Sequence, residues 1–225
     1  MSSSAVKGLE TADVAGLTST QVKGFSSAQI AAMSAANVAA LGSDVIDDLT
    51  TAAVSGLTAA QVTALSSVQT GAMTSAQLAA LTTAAIKGLE VADYAGLSSA
   101  QVKGLTSAQI AVLSTDGIAA LGSSVIDDLT TAAVSGLRLA QVAAMTSTQI
   151  GQLTTAQLAV LTTAAIGGLG SEDIAVFDSS DIAAFTTLQI SALTQAQVAA
   201  LSSSQIDAMT STQLAALTTA AVKGL

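Results

Sequence analysis

The chain has 225 residues, of which about half are apolar but only 2% are aromatic and 9% charged. Its formal net charge is −9 with six basic residues, which argues against nucleic-acid partners because phosphate binding needs clustered Lys and Arg. It contains no His or Cys, so the common general bases, nucleophiles and zinc ligands are missing. We therefore expect no enzyme, no catalytic residues and no cofactor.

The chain is built from an eight-residue unit that begins at Met1 and keeps its frame to Leu225. With the positions lettered a to h, position a is always large and apolar, and position f is Val, Ile or Leu except at Thr70 and Tyr94. Position b is mostly Ser or Thr, position e is most often Gln, and position h is nearly always Gly or Ala. An unbroken run of 28 such octads predicts a tandem repeat array.

Each octad carries the signals of a short α-helix. Ser or Thr at b suits an N-cap, and Gln at e can reach back to complete a capping box. Positions a and f then form a hydrophobic staple, as Leu105 and Ile110 do in "LTSAQIAVL". Gly at h predicts a left-handed residue that ends the helix. The sequence therefore predicts an all-α fold, a solenoid rod of very short helices with one helix per octad.

A β-solenoid is the alternative fold, because position f is often β-branched and pairs of Ser and Thr are frequent. The apolar spacings of five and three do not alternate as a strand requires, however. One octad cannot fold alone: burial of its two aliphatic side chains gives about 3–6 kcal/mol, against about 8–16 kcal/mol of backbone entropy. We expect stacked octads that share one core, a single array over residues 1–225.

A longer period of 80 residues lies above the octad. "LGSDVIDDLTTAAVSGL" from Leu41 returns as "LGSSVIDDLTTAAVSGL" from Leu121, and the resulting blocks are 9–88, 89–168 and 169–225. The third block lacks three octads, which indicates that the octad is the structural unit. Neither end carries a polar capping octad, so we expect either a segment of a larger protein or head-to-tail self-association.

Acidic side chains replace the small residues at g and h in two octads. Asp47 and Asp48 lie near Asp44, and Asp127 and Asp128 repeat the pair. A Ca²⁺ site or an intersubunit contact is one interpretation, but no spacing matches a known calcium loop. A solvated acidic ridge is the simpler interpretation, and no metal is predicted.

The remaining polar positions have structural explanations. Lys at g suits the negative end of a helix dipole, and capping accounts fully for Gln at e. A regular Ser/Thr/Gln face could still bind glycan, ice or a protein partner. The aromatic residues Phe25, Phe177, Phe185 and Tyr94 fall at a or f and are predicted to be core residues.

The sequence gives few indications of the cellular location of the protein. "MSSSAVKGLE" lacks the basic start and apolar stretch of a secretory signal. The chain is therefore cytoplasmic, leaves by a route without that signal, or has had the signal removed. Because Ser, Thr and Gln interrupt every apolar run, we expect no membrane insertion.

Iterated "LTTAQLAVLTTAAIGGL" and "LTSAQIAVLSTDGIAAL" resemble the octapeptide arrays of very large bacterial secreted proteins, described as haem-utilisation or adhesion exoproteins. The resemblance covers the whole chain. It implies an extracellular or cell-surface location and an adhesive or structural task. A glycan or surface partner is the alternative that the regular Ser/Thr/Gln face offers. Together with the repeat, it predicts a solenoid that assembles end to end into a filament or adhesin stalk.

Overall fold

The computed structural model of the chain describes residues 2–224. They form two compact units, one ending at Leu113 and the other beginning at Ser114. Within each unit every octad holds one short helix, and none of the described residues lies in a strand. The all-α solenoid of short helices is confirmed, and the β-solenoid alternative is wrong. That the octads form a single array over residues 1–225 stays a prediction.

The helices are three to six residues long. In the first unit they are Ser3–Val6, Thr11–Ala15, Ser19–Val22, Ser27–Ala32, Ala35–Ala39, Ile46–Asp48, Thr51–Val54, Ala59–Ala64, Ser67–Ala72, Ser75–Ala80, Ala85–Gly88, Val91–Ala95, Ser99–Val102 and Ser107–Ile110. In the second unit they are Thr115–Ala120, Ser123–Val125, Thr131–Val134, Leu139–Val142, Ser147–Gly151, Thr155–Leu158, Thr163–Ile166, Ser171–Val176, Ser179–Ala184, Thr187–Ser191, Gln195–Ala199, Ser203–Asp207, Ser211–Ala216 and Ala221–Gly224. Of these, Ile46–Asp48, Ala85–Gly88, Ser123–Val125 and Ala221–Gly224 are 3₁₀-helices.

The capping box predicted for each helix start is present in most octads. At Thr106 the backbone is extended, and the Thr106 N–H donates to Gln109 Oε1 over 2.9 Å. The Gln109 N–H in turn donates to Thr106 Oγ1 over 3.3 Å. Two backbone donors at the helix start are thereby satisfied. A hydroxyl at b does not decide the helix type: octads 41–48 and 121–128 have Gly at b and form 3₁₀-helices, whereas octad 169–176, also with Gly at b, forms an α-helix.

The prediction of left-handed glycines at the helix ends is wrong. No described glycine has a positive φ, and Gly16 closes its helix at φ −90° and ψ 2°. The helices end because the residue at position a is extended, as at Leu65, whose φ is −67° and ψ 141°. Its N–H donates to the carbonyl oxygen of Val62 over 3.0 Å, and the next residue is already the following N-cap.

The side chains at a and f form the core, as predicted. Most f side chains inside each unit are fully buried, and Leu105 and Ile110 of the predicted staple are both buried. Tyr94, Phe177 and Phe185 are core residues, and the two phenylalanine rings meet edge to face with their centroids 5.8 Å apart. Phe25 is only half-buried.

Thr70 is a polar residue in an aliphatic core position. Its side chain is fully buried, and its hydroxyl oxygen has no hydrogen-bond partner among the described residues. An unsatisfied buried hydroxyl costs about 1–3 kcal/mol. Thr70→Val keeps the shape and removes the hydroxyl, so we expect the free energy of unfolding to rise by about 1–3 kcal/mol in urea denaturation.

Val62→Thr is the matched control, because Val62 is also fully buried at position f. It should lower the free energy of unfolding by a similar amount. A Thr70→Val variant that is less stable than the parent would show that the hydroxyl is satisfied.

Candidate functional site: the interlayer surface

The glutamine at position e joins residues that lie far apart in the chain. Gln61 Nε2 donates to the carbonyl oxygens of Ile30, over 2.7 Å, and of Met33, over 2.9 Å. These acceptors lie 31 and 28 residues earlier, at positions f and a. The other end of the same amide, Oε1, accepts from the N–H of Thr58 over 2.8 Å. One side chain therefore caps its own helix and also binds the backbone of a segment about 30 residues earlier.

The same paired contact recurs along both units. Glutamines whose Nε2 donates to carbonyl oxygens 28 and 31 residues earlier are Gln61, Gln77, Gln101, Gln109, Gln149, Gln157, Gln189, Gln197, Gln205 and Gln213. The spacing of 28 residues joins position e to position a, while the helices pack three octads apart, as Ser27–Ala32 and Thr51–Val54 do. We call the segments joined by these contacts neighbouring layers. Asn37 also stands at position e, and its side chain is one carbon shorter than that of glutamine. Its Nδ2 donates to the carbonyl oxygen of Leu9, 28 residues earlier, over 2.8 Å.

The contact answers a need created by the helix ends. The residue at position a lies between two helices, so its carbonyl oxygen has no place in a helical ladder, and a buried carbonyl without a donor is costly. The glutamine amide supplies that donor. Capping is thus only half of the role of Gln at e, and the prediction that capping explains it fully is wrong.

Burial of these amides also removes them from any recognition face. Gln109 is 2% exposed, and the other bridging glutamines are buried as well. The glutamine part of the predicted Ser/Thr/Gln face is therefore wrong. The hydroxyl residues do reach solvent, as Thr82 and Thr83 show, and binding of glycan or ice by a Ser/Thr face stays a prediction.

Some octads with Ala at e bring the layers together through glycine at h. A Cβ added to Gly56 would overlap the backbone of Ser27, and one added to Gly88 would overlap the backbone of Ala59. Both contacts span 29 residues, close to the spacing of the glutamine contacts. Glycine at these positions therefore serves close backbone approach rather than a left-handed turn.

The acidic candidates are not gathered into a metal site. Asp44 lies over Gly42, Asp47 is exposed, and Asp48 pairs with Lys23, its carboxylate 2.9 Å from the ammonium nitrogen. Hydrogen bonds from Ser19 and then Lys23 lower the pKa of Asp48. In the second unit Asp127 is exposed and Asp128 half-buried. The described part of the chain holds no group of three or more His, Cys, Asp or Glu side chains placed to bind a metal.

The sequence did not indicate the pairing of Lys23 with Asp48, which lie 25 residues apart. The sequence explains the lysine at position g by the helix dipole alone, because nothing in the octad shows which later residue that lysine faces. The same approach recurs between Thr63 at position g and Gly88 at position h, also 25 residues later, where the Thr63 hydroxyl donates to the carbonyl oxygen of Gly88 over 2.9 Å.

Two findings define the class of protein. Short helices in an eight-residue period are joined to the preceding layer by one repeated side-chain contact, and this arrangement is a helical solenoid of tandem repeats. No helix among residues 2–224 is both long and apolar enough to cross a membrane.

The repeat itself has a family. The model of the ALTTAQ repeat matches residues 6–43, 86–123, 155–187, 174–211 and 187–219, which together are more than half of the chain. The chain belongs to the ALTTAQ repeat family. No curated protein matches it. The tandem-repeat part of the resemblance is confirmed, and the haem-utilisation or adhesion identity stays a prediction.

The two roles of a bridging glutamine can be separated at Gln109. Gln109→Glu keeps the oxygen that accepts from Thr106 but places a carboxylate against the carbonyl oxygens of Leu78 and Leu81. We expect a loss of about 2–4 kcal/mol in the free energy of unfolding at pH 7, because two buried acceptors lose their donor and a charge is buried.

The matched control is Gln152→Glu, which makes the same change at an exposed residue. It should change the free energy of unfolding by less than about 0.5 kcal/mol. Glutamate is as good a capping-box residue as glutamine. Full stability of the Gln109→Glu variant would therefore leave capping as the whole role.

The buried Tyr94 makes the stability of the fold depend on pH in the alkaline range. Burial, and then the negative charge of Asp93, raise the pKa of Tyr94 from 10.0 to about 12. The unfolded chain releases this proton first, so the contribution of Tyr94 is complete below pH 10 and is lost as the pH rises to about 12. Each pKa unit is worth about 1.4 kcal/mol, and we expect a fall in stability over that range.

The control is Tyr94→Phe, which cannot ionise and gives up only a 3.4 Å hydrogen bond to the carbonyl oxygen of Ile86. Urea denaturation of both proteins at pH values from 9 to 12 isolates the contribution of Tyr94, because the two proteins share every other titratable group. Parallel stability curves for the two proteins would contradict the prediction.

Proposed function

We propose that this chain is a non-enzymatic structural repeat protein that assembles end to end into a filament or adhesin stalk. The proposal rests on the interlayer contact, which needs nothing but another layer of the same repeat. Each layer offers amide donors on one side and backbone carbonyl acceptors on the other. The donor side of one chain can therefore bind the acceptor side of another copy, in a heterologous contact between identical subunits.

One observation carries the proposal. Leu214 and Val222 at position f are 40% and 44% exposed, whereas their counterparts inside the units are almost completely buried. Leu17 and Phe25 at position a are half-buried, while their counterparts Leu97 and Leu105 are 5% and 2% exposed. Covering such side chains with a further layer releases about 25 cal/mol per Å² of apolar surface.

The remaining parts of the proposal have support from the sequence. The absence of His and Cys supports a role without catalysis. Extracellular or surface location rests on the resemblance to the octapeptide arrays of large secreted proteins, and a glycan or surface partner rests on the regular Ser/Thr face.

Sedimentation velocity over a range of protein concentrations tests the assembly. We expect species larger than the single chain that grow with concentration, and negative-stain electron microscopy should show linear particles. Added salt should strengthen assembly, because it screens the repulsion between copies that each carry a charge of −9. A single species with the mass of one chain at every concentration and salt level would overturn the proposal.

A further inference from the structure

Two octads of nearly identical sequence differ in what covers them. Octad 17–24 reads LTSTQVKG and octad 97–104 reads LSSAQVKG, so the two differ only at positions b and d and share the glutamine at e and the glycine at h. Both belong to the first unit. Another segment of the unit covers octad 97–104, whereas octad 17–24 has no such cover.

Octad 97–104 is covered by residues 70–75. Gln101 Nε2 donates to the carbonyl oxygens of Thr70, over 3.0 Å, and Met73, over 2.8 Å. Gly104 lies so close to the backbone of Ser75 that an added Cβ would overlap it. The covering segment therefore runs from position f to position c and presents two carbonyl oxygens to the amide.

Octad 17–24 is open. Gln21 is exposed, although its Oε1 accepts from the N–H of Thr18 over 2.8 Å, so capping holds the side chain in the bridging position. A Cβ added to Gly24 would meet only the carbonyl oxygen of Gln21, at 3.3 Å. Leu17, Gln21, Gly24, Phe25 and Gln29 line a pocket of about 250 Å³ there. Gln21 and Gly24 in this lining are the equivalents of Gln101 and Gly104, which contact the backbone of Met73 and Ser75.

A second covering segment, residues 78–83, lies over the following octad, 105–112, and the chain holds an open copy of it. Residues 214–219 read LAALTT, which is identical to residues 78–83. In the covered copy, the carbonyl oxygens of Leu78 and Leu81 each accept from Gln109 Nε2 over 2.8 Å. In the open copy, Leu214 is 40% exposed and Leu217 is half-buried.

We infer that the pocket of octad 17–24 binds residues 214–219 of a second copy of this chain. Gln21 Nε2 donates to the carbonyl oxygens of Leu214 and Leu217 of the second copy, as Gln109 does to Leu78 and Leu81. Leu17 and Phe25 then cover the exposed Leu214 side chain. This inference rests on the proposed end-to-end assembly and names the residues and the polarity of its contact.

The polarity follows from the chemistry of the two surfaces. One surface donates through a side-chain amide and the other accepts through backbone oxygens, so two like surfaces cannot satisfy each other. The contact is heterologous: each copy uses its octad 17–24 toward one neighbour and its residues 214–219 toward the other.

The substitution Gln21→Glu tests the contact without touching the fold. The carboxylate keeps the capping oxygen, and Gln21 is exposed, so the variant should unfold at the same temperature as the parent. Its carboxylate would face the two carbonyl oxygens of the second copy. We expect assembly, measured by sedimentation velocity, to weaken by about 100-fold or more.

Gln152→Glu is the matched control, because it introduces the same charge at an exposed glutamine outside both surfaces. It should assemble like the parent. Assembly of the Gln21→Glu variant at parental strength would overturn the inference and leave the proposed function standing. A parent chain that stays single under all conditions would instead overturn the proposed function, and the inference with it.

Mixing experiments test the polarity. The Gln21→Glu chain still presents residues 214–219, so it should add to parent assemblies at one end and stop growth there. Small amounts of the variant should shorten the parent particles in electron micrographs, and the Gln152→Glu chain should not. Parent particles of unchanged length with both variants would contradict a one-directional contact.

Discussion

The bond from a glutamine amide at position e to the backbone carbonyl at position a, 28 residues earlier, is the interaction that joins neighbouring layers in most of the octads that hold glutamine. Ending a helix every eight residues leaves that carbonyl oxygen between two helices. A donor from another segment stabilises it, because a buried carbonyl without a donor is costly. Glutamine at position e is long enough to bring its amide nitrogen to the preceding layer while its oxygen remains at its own N-cap. Local helix termination and long-range packing are therefore the work of one side chain.

The reach of the glutamine side chain has a structural consequence. Gln61 lies on the helix Ala59–Ala64, which packs on Ala35–Ala39 three octads earlier, and its amide bonds Ile30 in one octad and Met33 in the next. Adjacent octads are held together through a third one as well as through the chain. Cooperativity then arises between neighbouring layers, as expected of repeats that cannot fold alone.

Local features of the fold were predictable from the sequence. The frame, the capping boxes, the a and f core and the all-α class follow from residue types at fixed spacing, and Thr106, Gln109 and Ile110 behave as that pattern requires. The layer spacing was not predictable, because no local signal tells which distant carbonyl an amide will meet. Glycine at h was misinterpreted for a related reason: a helix end and a close backbone approach both require glycine there, and only the neighbouring layer distinguishes them, as Ser27 does for Gly56. The sequence also does not show which distant segment lies beside each octad. For that reason neither the pairing of Lys23 with Asp48 nor the difference between octads 17–24 and 97–104 was predictable.

Octads share large apolar side chains at position a and, with two exceptions, aliphatic side chains at position f, and half of them share glutamine at e. A gene that encodes such a chain can gain or lose units by unequal recombination, and a crossover that falls between octads keeps the frame of the repeat. The third block, shorter than the others by three units, has the form that such an event leaves. Selection can therefore adjust the number of units in the gene while the chemistry of each unit stays unchanged.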